Sequence, residues 1–191
     1  MALTLRSMLG RREGGMNRGI VGVFVLWASV GGEVSLADSG VVARIGGSGD
    51  SIELSQQVDG RTVVDTLPLN RAGSVRYFSA GVGTEERSAE YPPFSLKLVF
   101  TAGGKPFLAG VAVTIQSAKG GPPIGISRDH VNGPWLFVEL PSGTYHLTAI
   151  HADRTQGLKG VTVEAGKTKT VYLRWPEERG SEASSGEAIG Q

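Results

Sequence analysis

Ser127, Asp129 and His130 lie within four residues and supply the types of a hydrolytic triad: nucleophile, orienting carboxylate and general base. Working triads are assembled from distant segments around an oxyanion hole, and no Gly-x-Ser-x-Gly elbow accompanies these residues. A small hydrolase using the 119–133 segment therefore stands only as an alternative. The other histidines, His146 and His151, are five apart and would face opposite sides of one straight strand, so they cannot chelate a metal together. The chain has no cysteine. That removes thiolate metal ligands, a cysteine nucleophile and disulfides. Gly81-Val82-Gly83 reads as a bend joining strands, since phosphate loops lead into a helix and none is expected here, and Glu85, Glu86 and Arg87 read as a solvated turn. No catalytic residue, metal ligand or cofactor site is assigned, and the chain is not expected to be an enzyme.

The aromatics carry more information. Trp135 and Phe137 face one way on their strand, while Leu136, Val138 and Leu140 face the other. One set must be core. If the aliphatic set alone is core, Trp135 and Phe137, together with Tyr172, form a patch suited to a sugar or a protein partner. If N-terminal strands cover that face, both aromatics are buried, and the rarity of exposed aromatic patches favours this arrangement. Tyr145 sits where a corner tyrosine would bond backbone.

The elements that would position these residues are strands. Phe94, Leu96, Leu98 and Phe100 alternate with Ser95, Lys97, Val99 and Thr101, which is the period of a half-buried strand. Gly103-Gly104 then turns the chain into Val111, Val113 and Ile115, and a hairpin is expected. The Gly- and Pro-rich stretch from Lys119 to Gly133 is best explained as a crossover between two sheets. Further strands follow at Trp135–Leu140, from Thr144 to about Ala152, around Val161–Val163 and at Val171–Trp175. Pro141-Ser142-Gly143 between two of them suits a type I turn with glycine at positive φ. Residues 38–90 show two to four short strands, expected to pack on the same core.

Length and composition bound the rest. At 191 residues with 29 glycines, the chain has room for one domain rich in turns. A formal net charge of +1 provides no long-range field to gather nucleic acid. Arg6, Arg11, Arg12 and Arg18 precede an uncharged run from Ile20 to Val30, followed by Ser35 and Ala37. This is the layout of a secretory signal cleaved after Ala37, starting at Met1 or Met16, and the run is too short to span a bilayer. The expected organisation is a signal over 1–37, an extension over 38–90, a sandwich over 91–175 and a disordered tail over 176–191.

Gly104-Lys105-Pro106 with Gly110–Ile115, then Leu140-Pro141-Ser142-Gly143-Thr144-Tyr145, then Gly160–Val163, resemble the carboxypeptidase regulatory-like domain, a transthyretin-like or prealbumin-like fold. The long Gly-Pro segment departs from that pattern. With Gly81–Gly83, Phe94–Phe100 and Gly133-Pro134-Trp135 added, the chain also resembles a group of exported bacterial proteins. The resemblance implies an all-β, antiparallel sandwich of seven or slightly more strands. It further implies a periplasmic or secreted location, without a membrane span in the mature protein. The expected function is a non-catalytic binding or structural module of the cell envelope, with a protein or glycan partner, or else an accessory subunit of an envelope or secretion assembly.

Overall fold

The computed structural model describes residues 40–103 and 108–176. The expected signal, the residues of the tail from 177 onward and the Gly104-Lys105-Pro106 motif lie outside the described residues. The rest belongs to one compact unit and is built almost wholly of strands. These are β1 (Val42–Ile45), β2 (Ser51–Val58), β3 (Arg61–Pro68), β4 (Asn70–Ala72), β5 (Val75–Ala80), β6 (Leu96–Ala102), β7 (Ala112–Ser117), β8 (Ile124–Ile126), β9 (Trp135–Glu139), β10 (Gly143–His151), β11 (Arg154–Val163) and β12 (Lys169–Trp175). One short helix, α1 (Thr84–Ser88), and a single 3₁₀ turn at Arg128–His130 interrupt them.

The strands form three sheets: β1-β2-β3, β11-β10-β7-β8 and β12-β6-β9-β5-β4. Alternation dictates the packing. Leu96, Leu98 and Phe100 of β6 and Leu136 and Val138 of β9 enter one core with Val113, Ile115, Leu147, Ala149, Val161 and Val163 of the four-stranded sheet. The intervening residues of the five-stranded sheet point the opposite way. There Phe78, Ala80 and Phe137 meet Phe94 and the inward residues Ala43, Ile52 and Leu54 of β1 and β2. The five-stranded sheet is thus covered on both faces at β5 and β9, which explains why these two strands are apolar on both sides.

Several expectations need correction. The sheets are not purely antiparallel: β12 runs parallel to β6, pairing Lys169 with Leu96 through Trp175 with Ala102. Everything from β7 to β11 lies between them in sequence, long enough for the crossover a parallel pair requires. β6 and β7 do not form a hairpin, because β6 is buried on both faces and belongs inside the five-stranded sheet while β7 pairs with β8 and β10. The 119–133 segment does carry the chain from one sheet to the other, but it also contains β8, paired with β7 through Val113–Ile126 and Ile115–Ile124. Residues 38–90 supply five strands, three of them a sheet of their own. Gly143 does not take positive φ: it already opens β10, paired with Val163, where the backbone is extended. Tyr145 donates its hydroxyl to the Pro141 carbonyl at 2.8 Å and holds that corner.

Candidate functional site

The 119–133 segment brings its chemical residues together only as a local turn. Ser127 Oγ lies 3.2 Å from Asp129 Oδ2 and accepts the Asp129 backbone N–H, capping the 3₁₀ turn. His130 is engaged elsewhere, its Nδ1 2.6 Å from the hydroxyl of Tyr77 and its ring stacked on that tyrosine. Tyr77 is buried, and burial raises its phenol above the usual range. A relay from Ser127 through His130 to Asp129 is not assembled. His146 Nδ1 accepts the Gly160 N–H at 3.3 Å, beside the register shift between Tyr145 and Leu147. His151 meets Trp175 edge to face at the far end of the same strand. Among the described residues no three His, Asp or Glu come together as metal ligands.

The Gly81–Gly83 bend is followed by a helix after all, one of five residues, and it binds the chain's own carboxylate. The N–H groups of Gly81 and Val82 donate to Glu86 Oε2 at 2.6 and 3.1 Å. Arg87 Nη1 donates to the carbonyls of the same two residues at 3.2 and 2.9 Å. The oriented amides that could hold an anion are therefore already occupied by Glu86.

Trp135, Phe137 and Tyr172 all point to the outer face of the five-stranded sheet, but they share neither exposure nor surroundings. Phe137 is buried at 4% exposure, stacked on Phe78 with centroids 4.6 Å apart and nearly parallel planes. It leaves the proposed patch, because the β1-β2-β3 sheet covers that part of the face. Trp135 is half-buried at the border. The Lys97 ammonium lies 3.4 Å from its ring centroid, and a Cβ at Gly81 would approach its Cδ2 to 3.0 Å. Its indole is packed rather than offered. Tyr172 is 72% exposed.

Register places these residues in rows across the sheet. Tyr172 pairs with Val99, and Val99 with Trp135; one step away, Thr170 pairs with Lys97, and Lys97 with Phe137. On the other side of Tyr172 is the Arg174–Thr101 pair. The uncovered half of the face thus carries an exposed phenol in register with buried Val99, with exposed Arg174 two residues along the same strand, while the Lys97 ammonium is turned to Trp135. Desolvation lowers the Lys97 pKa, and contact with the indole partly offsets the cost of keeping it charged, by about 0.5–2 kcal/mol. The alternation of Lys97 with Leu96 and Leu98 already assigns it to the outer face. What was missed is that β12 lies beside β6 and brings Arg174 and Tyr172 to it, since no local signal encodes a parallel pairing of strands so far apart.

A cavity of about 260 Å³ lies between Leu108, His151, Arg154 and Trp175. That is below the range of roughly 300–1,000 Å³ usual for ligand sites. His151 Nδ1 is buried without a hydrogen-bond partner. Among the described residues no helix is long and apolar enough to cross a membrane.

No family model matches the chain, and no curated protein matches it. Among solved structures it is similar to the Bacillus anthracis TIE protein at 15% identity, covering 74% of this chain and 40% of that one, with a TM-score of 0.31. The chain spans less than half the length of that protein, and a likeness of this size carries no argument.

Proposed function

We propose that the protein is an exported, non-catalytic β-sandwich of prealbumin-like type, akin to the carboxypeptidase regulatory-like domain, and that it serves the cell envelope as a binding module. The arginine-rich start and the apolar run ending near Ala37 support export. The core shared by the four- and five-stranded sheets supports the sandwich, and the Leu140–Tyr145 corner supports the family likeness. The observation that carries the binding role is Tyr172, 72% exposed on β12 and two residues from the exposed Arg174. An exposed phenol stacks on a sugar ring, and Arg174 beside it favours a sugar bearing carboxylate or phosphate. The ligand class is therefore an anionic envelope glycan.

Two measurements test the reading. N-terminal sequencing of the protein recovered from its host should find Asp38 as the first residue and an export compartment as the source. Retention in the cytoplasm with an intact leader would reject export. Co-sedimentation of the purified protein with isolated anionic envelope polysaccharide should weaken at least tenfold, about 1.4 kcal/mol, in Tyr172→Ala and again in Arg174→Ala. Equal binding by the parent and Tyr172→Ala would rule out this face.

A further inference from the structure

The outermost strand of the three-stranded sheet has no work inside the molecule for most of its length. From Arg61 to Thr66, β3 is exposed at every residue, and only Leu67 joins a core. Val58, Val63 and Val64 near the hairpin tip are each 40% exposed or more. The opposite edge of this sheet is capped by the chain itself: Ala43 N–H donates to the Glu90 carbonyl and Glu90 N–H to that of Val41. Among the described residues β3 has no such cover. Elsewhere edges are blunted. β4 and β8 are three residues long, β11 carries Gly160 at positive φ beside a register shift, and β12 bears Lys169 and Arg174. In β3 the pairing with β2 is regular from Arg61 to Pro68, and proline stands only at its end.

The backbone of this hairpin determines which groups face outward. Asp59 and Gly60 take φ of 50° and 73°, a type I′ turn, so Val58 and Arg61 exchange hydrogen bonds as the pair closing it. Bonded pairs then alternate. Arg61, Val63, Asp65 and Leu67 spend their backbone groups on β2, while Thr62, Val64 and Thr66 turn theirs outward. We infer that this edge pairs with the same edge of a second copy, antiparallel about a two-fold axis at Val63. In that register Thr62 of each copy exchanges both backbone bonds with Val64 of the other, and Arg61 of each stands opposite Asp65 of the other. The outward alternation permits only registers in steps of two residues. One step towards the turn sets Asp59 against Asp65. One step the other way sets Asp65 against Val63, and the next sets Asp65 against Asp65. Only the register centred on Val63 pairs opposite charges, and it does so twice. Among the described residues neither Arg61 nor Asp65 has an ion-pair partner within the chain. A two-fold pairing of this kind uses the edge completely, so it closes at the dimer.

The pairing is independent of the Tyr172 face and is tested by charge exchange. Sedimentation of the purified protein over a wide concentration range should show a reversible monomer–dimer equilibrium. Arg61→Asp and Asp65→Arg each turn both ion pairs into like charges, and each should weaken self-association at least tenfold. Their equimolar mixture restores opposite charges at both positions and should associate as the parent does. Val64→Pro, which removes an outward N–H that β2 does not use, should also abolish the dimer. A parent that stays monomeric throughout, single variants that dimerise unchanged, or a mixture that remains monomeric would each overturn the proposal. Circular dichroism checks that these exposed substitutions leave the fold intact.

Discussion

Tyr77, Tyr91 and Tyr145 have phenols held above their ordinary value of 10.0 by burial, and at Tyr91 the nearby Glu86 carboxylate adds to the effect. Tyr91 also donates its hydroxyl to the Glu86 carbonyl at 2.9 Å. The consequence for stability has a definite sign. Above about pH 10 the unfolded chain has released phenolic protons that the folded chain still holds, so it binds fewer protons and stability falls as pH rises. Lys97, lowered by desolvation, acts in the opposite sense between its folded pKa and 10.5, where the unfolded chain keeps the extra proton. Urea unfolding from about pH 9 to about pH 11 should show a falling midpoint. Tyr91→Phe should flatten that fall most, since Tyr91 is the most perturbed of the three. An unchanged slope in Tyr91→Phe would assign the effect to other groups.

Among the elements, β5 and β9 meet backbone to backbone at one end. Gly133, just ahead of β9, lies against the end of β5: a Cβ there would press on the Ala80 carbonyl oxygen and come within 2.8 Å of its carbon. Both backbones are held by the Ala80–Trp135 pairing and by the bonds joining Ser79 Oγ to the Gly133 backbone, so neither can yield without losing sheet bonds. Gly133→Ala should cost about 1–3 kcal/mol, the range for forced overpacking, measurable as a lower urea midpoint. Gly47→Ala, where a Cβ meets nothing within 4 Å, is the matched control. Period-two alternation of apolar residues makes β6, β10 and β12 legible in the sequence, and β9 shows as a short continuous apolar run. β8 escapes because three residues are too few to show a period, and its partner β7 supplies what makes Ile124–Ile126 a strand. α1 escapes for a similar reason: five residues with no buried face carry no helical pattern.

At the scale of the molecule, the second core binds the N-terminal sheet to the rest. Phe137 is at its centre, in ring contact with Phe78, Tyr91, Phe94 and Trp135. Removing that ring in Phe137→Ala should cost about 3–5 kcal/mol. The loss should be shared: amide exchange should quicken at Ile52 and Leu54 in β2 together with Phe78 in β5, because the two sheets are joined through this layer. If only the β2 amides exchanged faster, the three-stranded sheet would be an appendage, contrary to its packing.

The residues by themselves determined that the chain is built of strands and which side chains alternate, because these follow from neighbours one to four positions apart. They also limited the meaning of Trp135 and Phe137 to two arrangements. Tertiary structure alone decided between those, by laying Ile52 and Leu54 over Phe137 while leaving Tyr172 open. It likewise decided that β12 runs parallel beside β6 and that β3 stands, among the described residues, at an unpaired edge. Each of these rests on contacts between residues tens of positions apart. Such contacts are selected by how whole sheets fill a shared core, and that selection leaves no local period in the sequence.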